Sequence, residues 1–166
     1  MNWAKVILCV LGCEAAGIIG SIFTAPNIPS WYASLQKPFF SPPNWLFAPA
    51  WTLLFLLMGV AFYLILESKA KGPTKNGAKK INSKSKAKGF FLAQLFLNIL
   101  WSALFFGLRN PLAGFVEIIF LWVFIAITIF EFSKVSKKAA YLMVPYIAWV
   151  SFAAMLNYSI WILNAA

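Results

Sequence analysis

Residues 111–132 read PLAGFVEIIFLWVFIAITIFEF. The run is 22 residues long and holds two charged side chains, Glu117 and Glu131. A hydrocarbon core about 30 Å thick takes roughly 20 helical residues to cross. The apolar residues are continuous rather than alternating, which favours a helix over a barrel strand. Four more segments of the same character flank it, at about 4–23, 45–66, 89–108 and 139–163. Composition agrees: 62% of the chain is hydrophobic and 11% charged, whereas a soluble domain is about a quarter charged. The expected fold is therefore a single all-α integral membrane domain (1–166), a bundle of five transmembrane helices. An odd number of spans argues against duplication, and no internal repeat is visible.

The net charge of +10 would suggest nucleic acid in a soluble protein. Here the basic residues are confined to short segments between apolar runs, with no basic face on a folded domain, so nucleic acid is excluded as a partner. The charge reads as topology. With five spans, the N-terminus, the segment 67–88 and the segment 133–138 share one side. They hold twelve of the fourteen basic residues, against Lys37 and Arg109 on the other. The positive-inside rule then puts the N-terminus in the cytoplasm and the C-terminus outside. Segment 67–88, with eight lysines, reads as a solvated, mobile loop that determines topology and could also touch anionic lipid.

Several chemistries lack their apparatus. The chain has no histidine, which removes the usual zinc and haem-iron ligands, so neither metal nor cofactor is expected. Cys9 and Cys13 lie one turn apart in the first run and form no disulfide framework. Val10-Leu11-Gly12-Cys13 faintly resembles a lipoprotein cleavage box, but the apolar run continues past it to Phe23, and lipidation is set aside. There is no phosphate-binding glycine loop, no His-based triad and no helix pair broken at mid-membrane.

The loop 24–44 is rich in proline and tryptophan. Its prolines fix φ and remove donors, so it should be stiff without being helical. Its aromatics suit either an interfacial belt or a lid over a cavity, and the ordered prolines favour the lid. Behind it, Trp51 and Phe55 share a face of the second helix. Gln94, Asn98 and Ser102 form a polar stripe on the third, beside Trp101 and Phe105, which must face protein or a cavity. Trp149, Ala153, Asn157 and Trp161 recur at spacing four on the fifth, with Tyr146 adjacent. A small residue between two indoles leaves room for a flat ring, or for close helix packing. Glu14 lies deep in the first span, where protonation or a cavity would explain it. Glu117 lies near the start of the fourth, within reach of the interface. Gly12, Ala16 and Gly20 form a small-residue face for another helix or a second subunit.

Three ordered motifs resemble a known family. Trp31-Tyr32-x-x-Leu35-x-Lys37-Pro38-x-x-x-Pro42-Pro43-x-Trp45-x-x-x-Pro49-x-Trp51 is similar to the signature of the TspO/MBR family, the tryptophan-rich sensory and mitochondrial translocator (peripheral benzodiazepine receptor) proteins. Leu97-Asn98-x-x-Trp101-Ser102-x-x-Phe105-Phe106 resembles its third-helix motif. Pro145-Tyr146-x-x-Trp149-x-x-Phe152-Ala153-x-x-Leu156-Asn157-Tyr158 resembles its fifth. The resemblance implies a five-helix bundle, commonly homodimeric, with a pocket under the first loop that binds protoporphyrin and other tetrapyrroles, sterols or benzodiazepine-type ligands. On matching positions the pocket would use Tyr32, Pro42, Trp51, Phe55, Asn98, Trp101, Phe105, Tyr146, Trp149, Ala153 and Asn157. One departure disfavours cholesterol: Tyr158 is not followed by the Lys or Arg of the animal pattern. The long lysine segment suits a microbial plasma membrane.

The leading expectation is thus a membrane binding protein for porphyrin or another apolar small molecule, with Lys37 or Arg109 meeting propionates at the outer face. A rival is enzymatic. Some members of the family are associated with light-dependent breakdown of protoporphyrin, in which Trp51 and Trp149 would take part. A third reading, a scaffold acting only through partner proteins, requires no saturable small-molecule binding.

Overall fold

The computed structural model describes residues 2–68 and 75–165, with side chains from 75 to 82 left aside. Five helical segments are long and apolar enough to cross a membrane: Trp3–Tyr32, Asn44–Glu67, Ser83–Gly107, Pro111–Val135 and Lys137–Leu163. The regular helices within and between them are α1 (Trp3–Thr24), α2 (Phe47–Glu67), α3 (Lys75–Ser102), α4 (Pro111–Val135), α5 (Lys137–Leu142) and α6 (Val144–Leu163).

Local chemistry sets their ends. Asn110 caps α4, its side chain accepting from the Ala113 N–H at 3.0 Å, and Pro111 takes the first turn, where a missing donor costs nothing. Ser136 caps α5 in the same way. The fifth span breaks at Met143 because Pro145 can neither donate to nor clear the carbonyl one turn back.

Two expectations about connections are corrected. The stretch after Phe23 is largely helical: α1 runs on into a 3₁₀ turn, Ala25–Asn27, and a π-helical turn, Ile28–Tyr32. Pro26 and Pro29 each fall at the start of a new turn, the one helical position that tolerates them. The expected basic loop is also shorter, because α3 begins at Lys75 rather than near Gly89. Lysine and alanine are good helix formers, and beyond Pro73 no proline stops them. Residues 69–74 of that segment lie outside the described residues.

Within the bundle α1 packs on α2 and α3, and α4 on α3 and α6. One end is tied by Lys5 to Glu67 (2.8 Å) and by the Lys84 ammonium donating to the Leu66 and Ser68 carbonyls (2.7 and 3.1 Å). At the other end the Arg109 Nε donates to Asn27 Oδ1 (3.0 Å), while Gln36 and Asn164 exchange two 3.0 Å bonds. The N-terminus and the basic 84–88 and 134–138 segments thus share one end, while Lys37 and Arg109 sit at the other.

The core near the basic end is packed with rings, including the stacked pair Phe62 and Phe91 (4.4 Å between centroids). There α1 and α2 cross closely: a Cβ added at Gly59 would stand 2.5 Å from the Val10 Cα. Gly59→Leu should therefore destabilise the fold by about 1–3 kcal/mol, read as a lower unfolding midpoint in detergent. Gly12→Leu meets open space and should leave the midpoint unchanged. The small-residue face divides: Ala16 and Gly20 are buried, Gly20 against Ser102, while Gly12 is exposed.

Candidate functional site

Away from the Val10–Gly59 crossing a cavity of about 350 Å³ opens among α1, α2, α3 and α6. That volume lies within the range of small-molecule sites. Its walls are mainly aromatic: Phe47, Trp51 and Phe55 from α2, Trp101 and Phe105 from the third span, and Trp149 from α6. The rings brace one another. Trp101 stacks on Phe105 (5.3 Å, 16°), Trp51 leans on Phe55 (5.6 Å), and Phe47 meets Trp149 edge-on (6.3 Å). Gly17 leaves room for the Phe55 ring, since a Cβ there would lie 2.5 Å from it.

The turn after α1 closes the outer end. Tyr32 is buried and packs on Phe47, Phe105 and Phe106, while Trp31 meets Phe105 and Phe106 edge-on. The Lys37 ammonium sits 4.7 Å above the Tyr32 ring, and Phe40 reaches Phe152. Phe39 and Trp45 are exposed, as interfacial aromatics would be. Tyr32 of this segment thus lines one end of the cavity, while Phe39 and Trp45 point away from the core.

Polar groups hold the wall in register. Asn157 accepts from the Trp101 Nε1 (3.1 Å) and donates to the Pro111 carbonyl (2.7 Å), joining α3, α4 and α6 at one buried amide. Asn98 donates to the Tyr146 hydroxyl at 2.9 Å. The Trp149 Nε1 and the Tyr32 hydroxyl are buried without a partner; Tyr32 faces Ser41, but their hydroxyls miss hydrogen-bond geometry.

Of the residues expected at the pocket, Tyr32, Trp51, Phe55, Asn98, Trp101, Phe105, Trp149, Ala153 and Asn157 line this cavity. Tyr146 stands behind Asn98, fully buried and outside the lining. Pro42 lines a separate shallow groove with Leu46, Ala50 and Pro145, walled from the cavity by Trp149. Trp161 turns away and stacks on Phe115 (5.8 Å, 20°). Lys37 and Arg109 do not line the cavity, so neither stands ready for a propionate inside it. Glu117 does not reach the interface either. It is buried in the bundle with both oxygens unpaired, as is the Gln94 amide on the neighbouring helix. Missing from the expected set are Glu14, Gly17, Ser21 and Thr52, which line one side of the cavity. The signal for the first three was the run of small and polar residues at helical spacing in α1, while Thr52 follows Trp51 on α2.

The motifs that build this cavity are also the ones that match known proteins. The sequence model of the TspO/MBR family matches residues 9–162. The chain belongs to the TspO/MBR family. It is 47% identical to the tryptophan-rich protein TspO of Archaeoglobus fulgidus over 99% of this chain and all of that one. The similarity is 48% to the protein of the same name from Chlorobaculum tepidum, over 95% of this chain and 94% of the other. The translocator protein of Ovis aries is 36% identical over 96% of this chain and 89% of its own. As a TspO/MBR member with five spans, the chain is a multi-pass membrane protein whose surroundings are the lipid bilayer.

Proposed function

We propose that this chain is a membrane binding protein, acting as a sensor or translocator, for flat apolar ring systems: tetrapyrroles such as protoporphyrin IX, with sterols and benzodiazepine-type molecules in the same class. The observation that carries this reading is the aromatic-walled cavity beneath a tethered lid. Flat rings gain burial there and about 0.5–1.5 kcal/mol beyond it for each well-placed aromatic contact. Names carried by relatives, tryptophan-rich sensory protein and translocator protein, support it. The same reading places the protein in a microbial plasma membrane with its basic end, and the N-terminus, in the cytoplasm.

The test is quenching of tryptophan fluorescence by protoporphyrin IX, titrated in the dark. Saturable quenching at micromolar or tighter affinity is expected, weakened about tenfold in Trp149→Ala because a cavity wall is lost. Linear quenching, identical in both proteins, would mean that porphyrin only partitions into the micelle.

Three indoles on one cavity, Trp51, Trp101 and Trp149, favour a second reading, light-dependent porphyrin breakdown involving Trp51 and Trp149. It requires loss of the porphyrin Soret band under illumination with wild type and its retention with Trp51→Phe and Trp149→Phe. Equal rates in all three reject it.

A further inference from the structure

Resting on that cavity reading, we propose that Glu14 is a recognition residue for a positively charged nitrogen, so that the preferred ligand is a flat apolar amine.

Glu14 lies on the cavity wall. Eleven residues separate it from the start of α1 at Trp3, about 17 Å at the helical rise, which sets it near the middle of the hydrocarbon layer. An ionisable group at that depth is costly and ordinarily marks a ligand or ion site. Among the described residues no side chain pairs with it, and no lysine or arginine lines the cavity. The two cations of the lid end are engaged elsewhere. Lys37 donates to the Ala33 and Leu35 carbonyls and Arg109 to Asn27. Among the described residues, no cationic side chain therefore stands opposite the Glu14 carboxyl in the cavity.

Its neighbours suit a cation as well. Gly17, one turn along, presents no side chain, and the Phe55 ring fills the space beside it with Trp51 beyond. A cavity wall that carries both aromatic rings and a carboxyl group is a favourable setting for an ammonium group, which gains from both. The lid end has the opposite preference, because the buried Trp149 Nε1 donor is without a partner and calls for an acceptor. Glu14 and Ile28, both on the cavity wall, are about 20 Å apart along the helix. The matching ligand is elongated, with its basic nitrogen at the Glu14 end and a carbonyl or similar acceptor beneath the lid. A ring system whose only charges are acids would have to keep them at the lid.

The experiment compares 9-aminoacridine, cationic at neutral pH, with acridine, mostly neutral there, in nanodiscs of zwitterionic phosphatidylcholine, read by tryptophan quenching. Wild type should hold the cation at least about tenfold tighter, as expected for a hydrogen bond to a charged group. Glu14→Gln should bring the two probes level while keeping acridine binding, and Glu14→Asp should keep the preference. Equal affinities in wild type, or a preference that survives in Glu14→Gln, would overturn the role of Glu14 yet leave the cavity reading standing, because acridine still binds. If neither probe binds wild type saturably while protoporphyrin IX does, this inference fails and the cavity reading stands; if protoporphyrin IX does not bind either, both fail.

Discussion

Ala153→Phe should abolish saturable binding of protoporphyrin IX while leaving the bundle folded. Ala153 lines the cavity on α6, one turn from Trp149 and one turn from Asn157, and is only half-buried. A phenyl ring there projects into the 350 Å³ of open space rather than into packed core. It therefore avoids the strain that overpacking causes elsewhere. The ring takes the place a flat ligand would use between the indoles, so a loss of about a hundredfold in Kd, roughly 3 kcal/mol, is expected. Ala148→Phe is the matched control, since Ala148 lines the separate groove that holds Pro42. Fluorescence titration of both variants beside wild type decides the matter. Loss only in Ala153→Phe locates the ligand in the aromatic cavity, loss only in Ala148→Phe moves it to the groove, and unchanged affinity in both removes it from each.

The contrast between these two alanines shows what the sequence could and could not reveal. Hydropathy is a one-dimensional property, so the five spans were legible from run length alone, and so was the choice of helix over strand. Spacing of four on α6 puts Trp149, Ala153 and Asn157 on one face, and all three line the cavity, because helical periodicity survives in a bundle. The same periodicity carried Trp161 along with them, and there it failed. One further turn brings that indole to Phe115 on α4 instead of the cavity. Which neighbour a helix face meets depends on crossing geometry, and no single-helix pattern contains it. Glu117 illustrates the same limit: distance from a helix end suggested the interface, whereas packing buried it. The prolines of loop 24–44 suggest a non-helical segment, yet Pro26 and Pro29 each only restart a helical turn. Segment 67–88 was read as loop from its charge, but charge sets where a segment lies relative to lipid, and propensity sets whether it coils.

Asn157→Leu should damage stability and binding together, whereas Tyr146→Phe should damage stability alone. Asn157 is almost fully buried, and its amide accepts from the Trp101 indole and donates to the Pro111 carbonyl. Leucine is similar in size but makes neither bond, so the half-buried Trp101 indole donor loses its partner and the Pro111 carbonyl keeps only its bond within α4. A hydrogen bond between membrane helices contributes about 0.6–1.7 kcal/mol, and orphaning its partner can add to that. With two bonds lost, a cost of about 2–4 kcal/mol is expected. Trp101 also loses the partner that fixes its indole against the cavity, while Gly114 of α4 loses its neighbour, since a Cβ there would lie 3.1 Å from Asn157 Oδ1. Porphyrin affinity should then fall about tenfold or more as that wall becomes mobile. Tyr146→Phe removes one bond, from Asn98, behind the lining, and should cost about 1 kcal/mol without changing Kd. Unfolding midpoints in detergent and porphyrin titrations, run on both variants, separate the two effects. An Asn157→Leu protein with a lowered midpoint but wild-type affinity would show that Trp101 holds its place without the amide, and that the polar junction serves the fold and not the site.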